Sequence, residues 1–508
     1  MAKVIMVQGT MSNVGKSLLV TALCRVFRQD GHRVAPFKSQ SLGLNSFVTN
    51  DGFEMGRAQA VQAEAAGIRP DIRMNPVILK PIYGQGSQVF LLGKEIGTIN
   101  KANSNEIKPK LKSAILDSYN SLAKEFDIIV IEGTGGAAEL NLAEDNLTNM
   151  GMAKMVNAPV ILVGDIERGG LFAQLFGTVK ILPTDESDLI KGLIVNKFHG
   201  DMSLFTSGVN ILENICSKPV LGVVPFLKVD IDDEDVLDVN NKHAFNNQHY
   251  QKDYDAVIDV AVISVPHISN STDFSVLSRL GGVDVRIVKE PNKSKKPDII
   301  IIPGTSRPIY DLLYLRENGT EAEIKRLATG GTPIIGIGGG YQILGQQIID
   351  SDCLENGGSV RGMELLPIIT ELIPNKHISQ ACPTTLEVGG ILGALSNTLL
   401  RGSYEIYHGV TTLKNNAKYL LKNPDGSLEG CQLGNVYGTY LHGFFDSEEC
   451  RSGLLSALSA SKKVLSGTNI LSNELYREKN YDILAQGIRN ALDIRSIYNI
   501  LESGKIAI

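Results

Sequence analysis

Lys16 and Ser17 close a stretch, Val4–Ser17 (VIMVQGTMSNVGKS), in which an apolar run gives way to a glycine-punctuated loop. In that order the backbone N–H groups wrap nucleotide phosphates. The lysine carries charge to the β and γ oxygens, and the serine hydroxyl holds Mg²⁺. The usual spacing puts a glycine where this chain has Thr10; the glycine is Gly9, one residue earlier. Gly9, Thr10, Asn13, Val14, Gly15, Lys16 and Ser17 therefore form a shifted phosphate loop. A strand–helix turn that holds no nucleotide is the alternative, and the Lys16-Ser17 pair weighs against it. Three more polar residues end apolar runs, where ligands sit in doubly wound sheets. Lys38 ends RVAPFK, as a phosphate contact or a solvated lysine. Glu132 ends DIIVI, as a Mg²⁺ ligand or a loop cap. Asn196 ends KGLIV, as a reader of a nucleobase edge, a weak reading when taken alone.

A second constellation lies far downstream. PIIGIGGGYQ (333–342) has the layout of a nucleophile elbow: strand, very tight glycine turn, helix. Its apex is Gly338, which tolerates the strained turn but offers no nucleophile. VYGTYLHGF (436–444) places His442 at the end of a β-like segment. A lone histidine is more often structural than a base, and His442 gains a catalytic reading only if something acts at the apex.

The elements that must carry these groups are legible as alternation. Leu18, Leu19, Ala22, Leu23, Val26 and Phe27 share one face of a helix that Gly31 ends. Ile128–Ile131 is apolar enough for a strand buried on both faces. Further strands are predicted at 159–163, 191–196 and 219–224, then at 257–263, 283–288 and 298–302. MNPVILKP (74–81), bracketed by prolines, reads as an inserted edge strand. The fold class is α/β: a P-loop, doubly wound, mostly parallel sheet domain followed by a second α/β domain. The expected boundaries are 1–229, an acidic linker at 230–255, and 256–508 with a C-terminal helical tail.

Composition narrows the function. At 508 residues the chain exceeds one core, and 43% hydrophobic with 20% charged residues is ordinary for a soluble protein. A net charge of −6 without basic runs speaks against nucleic acid as a partner. No 18-residue apolar stretch is present to span a membrane. Six cysteines without a CxxC pair argue against zinc and disulfides and fit a cytoplasmic location.

Together the motifs resemble the cobyric acid synthase family, glutamine-dependent amidotransferases of cobalamin biosynthesis. QGTMSNVGKS, APFKSQSLGLNS, EMGRAQAVQAEA, the run from Glu132, NMGMA, DIERGGLFA, NKFHGD, HISNSTDF, PGTSRPIYDL, YEIYHG and GTYLHGFFD carry the likeness in order over nearly the whole chain. The N-terminal half is similar to dethiobiotin synthetase, with the same shifted glycine, and the C-terminal half to class I glutaminases. The resemblance implies ATP and Mg²⁺ as cofactors, with a corrinoid as substrate rather than cofactor. It implies four amidations, at the b, d, e and g carboxylates of adenosylcobyrinic acid a,c-diamide, through acyl phosphates. The partners it implies are small molecules: the corrinoid, ATP, and glutamine or ammonia. Oligomeric state is not implied.

One departure stands out. Gly338 occupies the place of the family's nucleophilic cysteine in GICGGYQ, and no thioester forms without a sulfur or oxygen there. A change introduced by hand, a natural variant fed by free ammonia, and general drift are three accounts; the intact phosphate loop favours the first two. The glutamate that follows the histidine by two residues in other class I glutaminases is also absent, since position 444 is Phe, but this branch characteristically lacks it. The alternatives to the whole reading are amidation by a cobyrinic acid a,c-diamide synthase and a non-enzymatic P-loop scaffold ATPase.

Overall fold

The computed structural model describes residues 2–42, 45–82, 86–140, 146–232, 258–290, 296–355, 357–414, 417–462 and 472–503. Most of the acidic segment expected to link the domains falls outside the described residues. The chain divides into two compact units. Unit 1 comprises Met1–Thr49, Phe53–Asp235 and Arg477–Ile508, and unit 2 comprises Asn50–Gly52 and Val236–Tyr476.

Unit 1 is built on a six-stranded sheet. Its strands are β1 (Lys3–Gly9), β2 (Val34–Phe37), β3 (Ile128–Gly136), β4 (Val160–Asp165), β5 (Ile190–Phe198) and β6 (Val220–Pro225), in the spatial order β6-β5-β4-β1-β3-β2. Every pairing between them is parallel. All the carboxyl ends therefore share one side, where the predicted ligand residues stand. Ile128–Ile131 of β3 are at most 1% exposed, as a strand with both faces covered requires. The first helix, α1 (Lys16–Gln29), buries Leu19, Ala22, Leu23, Val26 and Phe27 completely. Three further helices matter to the site: α2 (Arg57–Ala65), α3 (Ser104–Glu125) and α4 (Asn149–Val156).

Two sequence expectations differ from the structure. The strand at Val77–Ile82 is not an edge: it lies between Gln40–Ser41 and Gly86–Leu91 in a separate four-stranded sheet. Pro81 is tolerated because the parallel neighbour pairs only with Val77 and Ile78, so no partner on that side needs its missing N–H. The second difference concerns the C-terminal helices, which were expected with the second domain. Leu484, Ala485, Ile488, Ile497 and Ile500 instead join one core with Leu19, Leu23 and Phe27 of α1. Arg25 of α1 adds ion pairs of 2.8 Å to Glu478 and Asp482. The tail completes the outer cover of α1, a contact no local pattern announces.

Unit 2 repeats the parallel logic. Its main sheet contains β7 (Ile258–Ile263), β8 (Val283–Val288), β9 (Ile299–Ile302), β10 (Ile334–Ile337), β11 (Cys431–Leu433) and β12 (Val436–Thr439), ordered β8-β7-β9-β10-β12-β11. All neighbours are parallel except the β11–β12 hairpin. A second sheet includes Ile368–Ala381, Ser403–Leu413 and the short strand Leu441–His442. Among the described residues, no helix is long and apolar enough to cross a membrane.

Candidate functional site

In unit 1 the turn from β1 into α1 is held open by Gly15, whose φ of 95° a residue with a Cβ adopts only with strain. Asn13 also sits at positive φ, 61°, and its carbonyl accepts a 2.6 Å bond from Lys197. Asn196, buried at the end of β5, donates to Val14 O at 2.7 Å and so braces the loop from below. Thr10 reaches Gln174 at 3.1 Å, and Gly9 O accepts from Ala137 N at 2.8 Å. Lys16 Nζ donates to Met11 O (3.1 Å) and Gly135 O (3.0 Å), spanning the mouth of the loop.

Glu132, 2% exposed, is the hub of the site. Its Oε1 accepts from Ser17 Oγ at 2.8 Å and from Lys38 Nζ at 3.0 Å, and its Oε2 from Gln62 Nε2 at 2.5 Å. Burial alone raises a carboxyl's pKa. Here the Lys38 charge, the Gln62 bond and the Lys16 charge outweigh burial and hold the Glu132 carboxyl below its ordinary range. Four of the groups singled out in the sequence, Lys16, Ser17, Lys38 and Glu132, thus converge although they come from three separated strand ends. Gln59 and Gln62 were missed. Their spacing on the alanine-rich stretch, i and i+3, places both on one helix face and was the signal available.

The site suits a hard cation. Ser17 Oγ and the Glu132 carboxylate are oxygen donors, and the buried Gln59 and Gln62 Oε1 atoms beside them accept no hydrogen bond. No cluster of three or more His, Cys, Asp or Glu ligands occurs among the described residues. One carboxylate with a hydroxyl is the donor set of a magnesium that keeps waters and phosphate oxygens, not that of an all-protein cage.

In unit 2 the carboxyl ends of β7, β9, β10 and β12 surround the elbow. Gly338 has φ 55° and ψ −120°, the strained apex the glycine run predicts. A Cβ built there would lie 3.4 Å from His442 Nε2 and 3.3 Å from its Cε1. His442 is 2% exposed, and its Nδ1 lies 2.7 Å from Asp273 Oδ2. The carboxylate also accepts from Gly443 N at 2.9 Å, and Tyr404 stacks on the ring at 5.4 Å. A carboxylate on Nδ1 fixes the proton there and leaves the Nε2 lone pair facing the apex. Asp273 thus supplies the carboxylate on His442 that position 444, a Phe, does not. Sequence reasoning missed it because it is 169 residues away; its place after the carboxyl end of β7 was the available clue.

The loop after β9 is pinned separately. Asp311, fully buried, accepts from Thr305 Oγ1 (2.5 Å) and bonds His267 Nδ1 (2.7 Å). Among the described residues, the three atoms nearest a Cβ at 338 belong to His442 and Gly304, none to a cysteine. Cys431 and Cys450 are buried, and burial pushes the Cys431 thiol up to about 12.

Glu429, unremarked in the sequence, anchors the strand leading to His442. It accepts from Thr439 Oγ1 (2.7 Å) and Tyr440 N (2.6 Å), and Thr439 O accepts from Gly338 N (2.8 Å). Burial, with the Glu405 charge adding to it, pushes its carboxyl up to about 8. An unfolded glutamate ionises near about 4.3. The folded chain thus holds a proton that the unfolded chain releases, and stability falls as pH rises between those values. Glu429→Gln is expected to remove that slope, so melting curves should show its advantage over the parent growing from pH 5 to pH 8. An equal shift at every pH would refute the assignment.

Comparison with known proteins bears on both units. Residues 5–235 match the CobQ/CobB/MinD/ParA nucleotide binding domain, and residues 259–450 match the CobB/CobQ-like glutamine amidotransferase domain. The cobyric acid synthase of Ruminiclostridium cellulolyticum is 46% identical, covering 99% of this chain and 98% of its own. That of Lachnoclostridium phytofermentans is 45% identical over 99% and 100%, and that of Salmonella heidelberg 43% over 99% of each. With its phosphate loop, its elbow and this likeness along the full length, the chain belongs to the cobyric acid synthase family of amidotransferase ligases.

Proposed function

We propose that the chain amidates the b, d, e and g carboxylates of adenosylcobyrinic acid a,c-diamide to give adenosylcobyric acid, with ATP as the activating reagent and free ammonia as the nitrogen source. The observation that carries the first part is the single cluster of Lys16, Ser17, Lys38 and Glu132. A carboxylate is a poor electrophile until one of its oxygens becomes part of a leaving group. In the proposed sequence a substrate carboxylate oxygen bonds to the γ-phosphorus of ATP while the bond to the β-bridging oxygen breaks, releasing ADP. Ammonia then bonds to the acyl carbon, the C–O bond to phosphate breaks, and the surplus proton leaves to solvent.

Lys16 and Lys38 supply fixed positive charge where the transferring phosphoryl group develops negative charge. Ser17 and Glu132 would hold Mg²⁺, which when bound neutralises phosphate charge. Asn196 and the loop residues Gly9–Gly15 keep the backbone cradle in place, so that little reorganisation is needed when the nucleotide binds.

The ammonia part rests on Gly338. His442 and Asp273 are aligned as a base and its positioning carboxylate, but the atom they would activate is absent. The purified chain is expected to form the tetra-amidated corrinoid, read by mass spectrometry, with ammonium salts and ATP, and none with glutamine as sole nitrogen source. Glutamine-supported turnover comparable to the ammonium rate would defeat this reading.

A further inference from the structure

A cavity of about 710 Å³ opens in unit 1 between α3, the segment after β3, and α4. Its lining combines apolar surface with charges of both signs, three lysines beside Glu139 and Glu186. Ala138, Leu140 and Met155 give it an apolar floor and rim, and Leu140 keeps 53% of its surface exposed. Lys108 and Lys112, one turn apart on α3, and Lys154 of α4 put ammonium groups around that surface. Lys154 shares its charge with Glu186 at 2.6 Å, whereas Lys112 stands exposed at the rim. Apolar area with a few placed cations is the lining of a site for a large, flat, largely apolar molecule bearing carboxylates on its edge.

The cavity also has the right neighbour. Lys16 donates to Gly135 O, Ala137 N donates to Gly9 O, and Ala137 and Ala138 then form the cavity wall. Asn149, the first residue of α4, holds Thr134 O at 2.6 Å and Gly136 O at 2.8 Å. The segment 134–138 thus touches the phosphate loop and lines the cavity, so the cavity lies beside the cradle. In-line phosphoryl transfer needs the acceptor carboxylate within about 3–3.5 Å of the phosphorus, so the acceptor's seat has to adjoin the cradle.

We propose that this cavity is the seat of the corrinoid, with the macrocycle's apolar face against Leu140 and Met155 and its peripheral carboxylates toward Lys108 and Lys112. The assignment rests on the function proposed above. Equilibrium dialysis of adenosylcobyrinic acid a,c-diamide against the full chain tests it without requiring turnover. Lys112→Glu and Leu140→Asp, both at exposed positions, are each expected to weaken binding roughly tenfold, with the ATP dissociation constant and the melting temperature unchanged. Lys112→Arg should bind as the parent does, and raising the salt should weaken the parent's binding. Parent-like affinity in both Lys112→Glu and Leu140→Asp overturns the site, as does a parent that binds no corrinoid. Weakened binding in those variants, alongside a parent that forms no amide with ammonium, would keep the site and defeat the proposed reaction instead.

Discussion

Gly338→Cys is expected to give the chain a glutaminase activity, read as glutamate released from glutamine. Adding the nucleophile to an otherwise aligned site should raise the rate by roughly 10³-fold or more, given what removal of a nucleophile costs in comparable enzymes. The geometry admits the side chain. The nearest atoms to a Cβ at 338 are His442 Cε1 at 3.3 Å, His442 Nε2 at 3.4 Å and Gly304 Cα at 3.6 Å, so displacements of a few tenths of an ångström suffice. The same substitution carries a penalty, because φ 55° with ψ −120° is strained for any residue but glycine, at about 1–3 kcal/mol. Gain of turnover with loss of stability is thus the expected signature. In the Gly338→Cys background, Asp273→Asn should lower kcat by roughly 10²–10⁴-fold with little change in KM, because the amide no longer fixes the Nδ1 proton. A Gly338→Cys chain with no glutamate release would show that His442 is not poised as its contacts imply.

Glu132→Gln is expected to lower ATP-dependent amidation by roughly 10²–10³-fold and to destabilise unit 1 at the same time. The second effect follows from Lys38, which is 5% exposed and loses its counter-charge. Stranding one member of a buried ion pair costs about 3–5 kcal/mol. The double variant Glu132→Gln/Lys38→Met separates the two consequences. It removes the stranded charge, so much of the denaturant midpoint should return while turnover stays low. The depressed Glu132 pKa adds a pH signature of known sign. Its contribution to stability is fully present above the ordinary carboxylate value and is lost as pH falls through the lower, folded one. Parent-like turnover in Glu132→Gln would remove the residue from the phosphoryl-transfer machinery.

What could be read in the chain and what could not divide along sequence distance. The apolar face of α1 and the strand Ile128–Ile131 were legible because helix and strand periodicities are local, and the bearings of Lys16, Lys38 and Glu132 followed from the rule that ligands gather at strand carboxyl ends. The strained apex at Gly338 was visible in a five-residue pattern. Asp273 was not, since nothing near it in sequence says that the segment after β7 reaches the histidine beyond β12, with two strands between them in the sheet. Glu429 was hidden for the same reason: a lone acid beside a glycine looks solvated until a hairpin buries it. The place of Val77–Ile82 between two strands depended on a two-residue neighbour too short to register as a strand.

The tail tells most about how such a chain comes to exist at all. The face of α1 that carries Phe27 is sealed by Leu484, Ile488 and Ile497, which are synthesised after all of unit 2. All of unit 2 is synthesised in between, and at roughly 5–20 residues per second that interval is on the order of tens of seconds. Throughout it the nascent N-terminal half holds an uncovered apolar surface and cannot complete its core. The cover of the first helix is therefore complete only after unit 2 has been synthesised and has had time to fold, and a fragment cut at residue 232 would keep the phosphate-loop sequence while lacking that cover.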